Sequence, residues 1–328
     1  MTGVRILLLS DTHIGFDTPR RPRVARRRRG PDFQAGFERA LAPALRGDVD
    51  LVVHAGDLFH RSRIPAGVAE QGLGPLRRVA EMGVPVFLVP GNHERARIPF
   101  PLLACHPNLH VFHEPTTFSR RIGGVRVALS GFPFQRRVGD GAFRDRLART
   151  GWRDHPAELR LLCLHQTVEG ARVGPRGYTF RPGADVVAGR DLPARFDGVL
   201  VGHIHRHQVL TRDLGGRPLP APVLFCGSVD RTSFAEQDET KGTLRLRGTP
   251  GEPLRWRFDP LPTRPMLALP LAGGEGFLDR LAAALAGCAA DAIVRIDLQD
   301  ARPVPSMERI RALAPQMNLS LRFPRPVA

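Results

Sequence analysis

Asp, His and Asn residues recur along this chain in short polar clusters whose spacing suits divalent metal ions. The clusters are Ser10-Asp11-Thr12-His13, Ala55-Gly56-Asp57-Leu58-Phe59-His60, Pro90-Gly91-Asn92-His93-Glu94 and Gly202-His203-Ile204-His205, with His165 upstream of the last. Residues two apart share a face of an extended chain, so Asp11 and His13, or His203 and His205, can aim at one point. The pooled donors are the carboxylates of Asp11 and Asp57, the amide of Asn92 and the imidazoles of His13, His165, His203 and His205. With no thiolate among them, the set suits Mn²⁺, Fe²⁺ or Zn²⁺ better than an iron–sulfur cluster. These donors are too many for one ion once a water or substrate is included. Two ions sharing a carboxylate fit better, because such a pair, about 3.5–4 Å apart, clamps both the attacking and the leaving oxygen of an in-line displacement. Each cluster alone is a weak signal: a lone Asp-x-His is more often surface or core, and Gly-Asp is a common turn. Their joint occurrence, each after a strand-like run, is specific.

The elements that must position these clusters are legible from hydrophobic patterning. Apolar runs at 4–10, 51–55 and 84–89 predict strands buried on both faces, and loops at the carboxyl ends of such strands are where open α/β sheets build their sites. Phe33, Phe37, Leu41 and Leu45 form one helical stripe, with Asp32 as its expected N-cap and Pro43 as an expected kink or early stop. A second helix is expected over 66–82, weakened by Gly and Pro. From Val125 the texture is strand-rich, with runs at 125–130, 159–165, 198–201, 222–226, 243–247 and 254–258. Pro260, Pro262 and Pro265 then punctuate the chain. This places a boundary near 262, between a main domain (1–262) and a small α+β module (263–328) patterned strand, helix, strand, helix, strand.

Composition bounds the function. The chain has 328 residues, 42% of them apolar, which is enough for a substantial core. Its formal charge is +16, from 48 basic and 32 acidic residues, and Lys241 is the sole lysine. A GC-rich genome explains the choice of Arg over Lys but not the surplus, which favours a polyanionic partner, nucleic acid first. Arg20, Arg21, Arg23, Arg26, Arg27, Arg28 and Arg29 follow the first metal cluster closely and are read as a flap gripping DNA phosphates at the mouth of the site. With 18 Phe but 2 Trp and 1 Tyr, base stacking is no strong theme, and binding is expected to be sequence-independent. The four cysteines form no C-x-x-C pair, so neither a disulfide framework nor a thiolate zinc site is indicated. The apolar run Ile6–Leu9 is too short for a signal peptide, and no stretch approaches the roughly 20 apolar residues of a membrane span. A cytoplasmic protein without membrane association is expected.

The order D-x-H, G-D, G-N-H-E, H, G-H-x-H resembles the signature of the calcineurin-like metallophosphoesterases. Gly56-Asp57-Leu58-Phe59-His60 and the stretch Gly227-Ser228-Val229-Asp230-Arg231-Thr232-Ser233-Phe234, with Glu236, Glu239, Lys241 and Gly242 following, resemble the SbcD-type DNA repair exonucleases, bacterial counterparts of the meiotic-recombination nucleases. The resemblance covers most of residues 4–260. It implies a four-layer α/β/β/α sandwich with a capping module, and a metal-dependent DNA exo- or endonuclease using two divalent metal ions, Mn²⁺ first. It implies that Asp11, His13, Asp57 and His205 hold one metal, that Asp57 bridges, and that Asn92, His165 and His203 complete the second. By the same resemblance His93 is not a ligand but faces the scissile phosphate, and His60 lies beside the site and helps to position the strand. Relatives that work with a coiled-coil ATPase continue past the cap into a helical tether. This sequence stops at Ala328, so that partnership is not expected. Pro99 and Pro101 interrupt the region corresponding to a family dimer interface, leaving a homodimer open.

The same metal core serves small phosphodiesters such as cyclic nucleotides, which is the alternative function, and a non-catalytic DNA-end scaffold is a third. The arginine run, the G-D-L-F-H box and the added module favour the nuclease. The remaining histidines carry no expected chemistry: His106, His110 and His113 are read as solvated, His54 as part of a strand, and His155 and His207 as lacking partners. Cys163 is read as a small core residue.

Overall fold

Nearly unbroken apolar runs make the inner strands of the computed structural model, which describes residues 3–19, 26–139 and 141–324. Val4–Leu9 (β1), Leu51–His54 (β2), Val86–Leu88 (β3) and Leu109–Val111 (β4) pair in parallel. Thr116–Ile122 (β5), Val125–Gly131 (β6) and Leu159–His165 (β7) begin a second sheet, after which Thr167–Val168 (β8), Arg172–Val173 (β9), Tyr178–Thr179 (β10) and Val186–Val187 (β11) form two small ribbons. Gly198–Gly202 (β12), Gln208–Arg212 (β13) and Pro218–Phe225 (β14) complete the second sheet, and Gly242–Gly248 (β15) and Arg255–Pro260 (β16) return to the first. The orders are β16-β15-β1-β2-β3-β4 and β13-β14-β12-β7-β6-β5. In both sheets the central strands are parallel; antiparallel strands lie at one edge of the first sheet and at both edges of the second.

Alternation along β1 sorts the layers. Leu7 and Leu9 face the helices Gly30–Leu45 (α1) and Ala66–Glu81 (α2), packing with Phe33, Phe37, Leu41, Leu73 and Leu76. Ile6 and Leu8 face the second sheet and meet Leu129, Leu161, Leu200 and Leu224. The far face of that sheet is covered by Phe143 of the helix Ala142–Ala148 (α3), with Phe132, Trp152 and Phe196. Each fully buried Leu or Phe contributes about 1.5–3 kcal/mol relative to leaving it exposed. The result is the expected helix–sheet–sheet–helix sandwich. No helix among the described residues is long and apolar enough to cross a membrane.

Two local expectations need correction. α1 starts at Gly30, with Pro31 in its first turn, where a missing N–H costs nothing. Asp32 is therefore inside the first turn rather than the cap, and its carboxylate is ion-paired with Arg29 and Arg264. Pro43 falls in the last turn, and the helix still runs to Leu45.

Beyond Pro265 the chain forms a separate three-stranded parallel sheet, Met266–Leu271 (β17), Ile293–Leu298 (β18) and Asn318–Arg322 (β19), crossed over by Phe277–Ala286 (α4) and Met307–Ala312 (α5). It has its own apolar cluster, centred on Phe277, Leu281, Val294, Ile296 and Ile310. It is seated on the sandwich by polar contacts. Arg264 donates to Asp32 at 2.8 Å, Arg231 to Thr263 at 2.9 Å, Arg27 to the Gln316 carbonyl at 2.6 Å, and Asn318 to the Arg27 carbonyl at 2.9 Å.

Candidate metal centre

Register brings the polar clusters to one level. Leu9 lies opposite His54, His54 opposite Leu88, and Gly202 opposite His165, so the loops after β1, β2, β3, β7 and β12 leave the two sheets side by side. The first sheet delivers Asp11, His13, Asp57, His60, Asn92 and His93, and the second delivers His165, His203 and His205. The loops are cross-tied: Asp11 N–H donates to the Gly56 carbonyl at 2.9 Å and His13 N–H to the Asp57 carbonyl at 3.0 Å.

The backbone is bent sharply to aim these side chains. Asp11, His13, Asp57 and His203 have φ of 52°, 46°, 51° and 80°, the left-handed region that non-glycine residues seldom enter. Each such residue costs of order 1–3 kcal/mol and persists where its surroundings over-determine it, typically at functional sites. The glycines permit close approach. A Cβ on Gly91 would lie 2.1 Å from Asp57 Oδ1 and 2.5 Å from its backbone nitrogen.

All the expected ligands converge. His13 Nε2 lies 3.0 Å from His205 Nε2, and His205 Nε2 lies 3.7 Å from Asp11 Oδ1. Asn92 Oδ1 lies 3.0 Å from His165 Nε2 and 2.9 Å from His203 Nδ1, and His165 Nε2 lies 3.4 Å from Asp57 Oδ2. One donor atom from each of Asp11, His13 and His205 falls within 4.8 Å of the others, as does one from each of Asp11, Asp57 and His165. His165 Nδ1 donates to the Ala55 carbonyl at 2.8 Å, which turns Nε2 toward the Asn92 oxygen. A third close group joins His13 to His60 and His93. The donor set and the two groups that overlap at Asp11 fit two divalent metal ions.

Electrostatics agree. Burial presses the His165 imidazolium to deprotonate, but Asp57 and Asp11 outweigh it and raise the pKa to about 9. Burial works the other way on Asp57, yet His165 and its neighbours hold that carboxyl far below the usual range. Burial also holds His13 well below its ordinary value and His203 at about 3, so both rings offer lone pairs.

Several residues named in the sequence only as parts of motifs turn out to have supporting roles. Glu94 is buried and accepts from Phe59 N–H at 2.7 Å and Gly91 N–H at 2.6 Å, locking two ligand loops together. Glu236 accepts from His205 Nδ1 at 3.2 Å and from Lys241 Nζ at 2.7 Å, and Lys241, wholly buried, also donates to Glu239 at 2.8 Å. A carboxylate behind a histidine fixes its tautomer and raises its basicity as a ligand. His54, read as a bland strand residue, bonds Thr12 Oγ1 at 3.0 Å and accepts from Gly56 N–H at 3.3 Å. The other histidines need correcting too. His110 is buried against Phe87 and Phe118, His155 bonds Ser119 at 2.9 Å, and His207 stacks on Phe258 with centroids 4.1 Å apart. Cys163 is core, as expected.

His93 and His60 lie beside the ligands. His93 Nδ1 donates to the His60 carbonyl at 2.8 Å, and its Nε2 lies 3.8 Å from Asp57 Oδ2. The rings of His13, His60 and His93 are mutually within 5.4 Å.

Of the arginine run, the structure describes Arg26, Arg27, Arg28 and Arg29, and these have partners within the protein. Arg20, Arg21 and Arg23 lie outside the described residues. Arg29 is 7% exposed and donates to Asp230 at 2.9 Å. Arg26 and Arg28 pair with Asp17, and Arg27 holds the Gln316 carbonyl. Desolvated carboxylates and the seat of the small module take up these guanidinium groups, a pairing invisible to charge counting.

Two packed sheets carrying a buried Asp/His/Asn cluster at their carboxyl ends define a dinuclear-metal hydrolase site. Residues 4–207 match the model of the calcineurin-like phosphoesterases, and the chain belongs to that family. It is 31% identical over 274 residues to the DNA double-strand break repair protein Mre11 of Haloferax volcanii, covering 83% of this chain and 56% of that protein. It is 25% identical over 244 residues to the protein of the same name from Thermoplasma acidophilum, covering 72% of this chain and 58% of the relative. A solved dimetal phosphatase from Danio rerio aligns over 78% of this chain and 95% of its own, with 12% identity and a TM-score of 0.48. This chain spans a little over half the length of the curated relatives named.

Proposed function

We propose that this phosphoesterase is a DNA nuclease cutting phosphodiester bonds by a two-metal in-line displacement, with Mn²⁺ the first choice of ion and Fe²⁺ or Zn²⁺ the alternatives. The observation that carries it is the placement of His93 beside a complete ligand cluster, with one ring nitrogen anchored and the other directed at the site. Asp11, His13, Asp57 and His205 would hold one ion, Asn92, His165 and His203 would hold the other, and Asp57 would be shared. The ions, when bound, supply the Lewis acidity that makes hydroxide available near neutral pH and neutralises charge on the phosphate. His93, as an imidazolium, donates its Nε2 proton to the leaving oxygen, while its Nδ1–H stays on the His60 carbonyl. His60 packs against His93 and Phe16 and positions the strand. Arg20, Arg21, Arg23, Arg26, Arg27, Arg28 and Arg29 follow the first ligand loop in sequence and supply positive charge for DNA phosphates.

DNA is the preferred substrate because the chain is strongly basic and because relatives matching most of it are named for double-strand break repair. End-labelled single- and double-stranded DNA, incubated with and without Mn²⁺, is the test. Metal-dependent shortening is expected. Hydrolysis of cyclic nucleotides with DNA left intact would instead favour a small-molecule phosphodiesterase.

A further inference from the structure

β2 ends on a histidine, although Leu51, Val52 and Val53 before it are apolar. His54 shares the helix-facing side of the strand with Val52, lies edge-on to Phe37 of α1 at 6.1 Å and is wholly buried. An apolar side chain would suit such a position better, unless both ring nitrogens find partners. Both do. Gly56 N–H donates to Nδ1 at 3.3 Å, and Nε2 lies 3.0 Å from Thr12 Oγ1. These bonds fix the protons. Nδ1 accepts from a backbone N–H, so it carries a lone pair, the ring is neutral and its proton sits on Nε2. Nε2–H therefore donates to Thr12 Oγ1, and the Thr12 hydroxyl spends its own proton on the Leu58 carbonyl at 3.1 Å.

The two partners of His54 stand at the sharpest bends of two ligand loops. Thr12 lies between Asp11 and His13, whose φ are 52° and 46°, and Gly56 precedes Asp57, with φ of 102° and 51°. Backbone of this kind persists where its surroundings over-determine it. Main-chain bonds join the loops to each other, from Asp11 to Gly56 and from His13 to Asp57. The His54 ring adds one bond to each loop from a single rigid body. We propose that His54 is a positioning residue of the metal centre: as the neutral Nε2–H tautomer it clamps the Asp11–His13 loop to the Asp57 loop and keeps their ligands aimed. The proposal rests on the two-metal reading and deepens it. Asp11, His13 and Asp57 are three of the four residues assigned to one ion, so that ion depends on the clamp more than its neighbour does.

The test uses the full chain. Metal-free protein labelled with nitrogen-15 in histidine is compared with His54→Gln to identify the His54 ring signals by NMR. At neutral pH they are expected to show a protonated Nε2 and an unprotonated Nδ1. The chain is then titrated calorimetrically with Mn²⁺. His54→Phe fills the space but bonds neither loop, and is expected to weaken one of the two ions by about tenfold or more. Thr12→Val breaks the same clamp from the other side and should give a similar loss. The double variant should lose no more than the larger single one, because the two side chains act as a unit. His54→Gln keeps a donor for Thr12 and is expected to recover part of the affinity. A ring that merely packs would lower the melting temperature and leave Mn²⁺ binding by the folded protein unchanged, which would overturn the proposal. A proton on Nδ1, or losses at positions 54 and 12 that simply add, would overturn it too. Thr12→Val and the tautomer decide if His54→Phe does not fold. An unaltered chain that takes up fewer than two ions removes the two-metal reading, while the tautomer and the coupling between positions 54 and 12 in denaturant melts still judge the clamp.

Discussion

The His93 Nδ1 proton points at the backbone carbonyl of His60, 2.8 Å away, and this contact decides which nitrogen of His93 faces the metal centre. Because the acceptor is a carbonyl, it can only receive a proton, so Nε2 is the nitrogen free for chemistry. The two histidines come from loops after different strands and are joined by the same Gly-Asn-His-Glu and Gly-Asp-Leu-Phe-His segments that carry Asn92 and Asp57.

A proton donor that is not a ligand should separate chemistry from binding. His93→Ala is expected to keep both metal ions and to bind DNA normally, yet to cut it roughly 10²–10⁴-fold more slowly. Metal analysis, a binding isotherm and single-turnover cleavage check this together. Near-normal turnover would reduce His93 to a packing residue.

A shared carboxylate should be indispensable to both ions. Asp57→Ala is expected to lose both metals and all hydrolysis. Asp11 is the rival for the bridging position, since its carboxylate belongs to two of the three three-residue groups of close donors. Metal content measured on Asp57→Ala and Asp11→Ala decides between them: full two-metal occupancy without Asp57 would reassign the bridge.

The buried cluster behind His205 combines a structural and a functional role. Glu236→Ala leaves the Lys241 ammonium with Glu239 as its remaining carboxylate partner, and breaking a buried pair costs about 3–5 kcal/mol. It also leaves the His205 Nδ1 with the Thr232 hydroxyl in place of a carboxylate, which should weaken metal affinity by about 10–100-fold. Glu236→Gln keeps the shape and is expected to recover much of the stability but little of the affinity. Denaturant melts and metal titrations of the two variants report the two effects separately.

The arginines should divide into two kinds. Arg29→Ser leaves Asp230 without its buried guanidinium partner and is expected to destabilise the fold by a few kcal/mol, as removal of one partner from a buried pair does. Replacing Arg20, Arg21 and Arg23 by Ser should spare stability and, if they touch duplex phosphates, reduce the slope of log K against log salt by about 0.9 per lost contact. An unchanged slope would show that DNA is held elsewhere.

The convergence of the polar clusters was legible because each interrupts an apolar strand at its carboxyl end, and strand order fixes where those ends meet. The four layers were legible for the same reason, through alternation in runs such as Val4–Leu9. What could not be read was long-range pairing. Arg29 finds Asp230 two hundred and one residues away, and nothing in a run of like charges signals that one member will be buried. Lys241 is wholly buried, against the strong preference of lysine for solvent. His110, beside Pro107 and Asn108, has the look of a loop residue, yet Phe87 and Phe118 enclose it.

Asp17, four residues beyond His13, is held by Arg26 and Arg28, and by the Arg29 N–H at 3.0 Å; Arg27 between them grips Gln316, and Asn318 grips Arg27 in return. Asp32 closes the circuit by pairing with both Arg29 and Arg264. The first ligand loop and the small module therefore share one polar plate, built from a few residues that include Asn318 at the start of β19. Evolution can vary the two bodies freely only where it leaves that plate alone. A module transplanted from a relative would arrive misaligned unless residues 26–32 travelled with it.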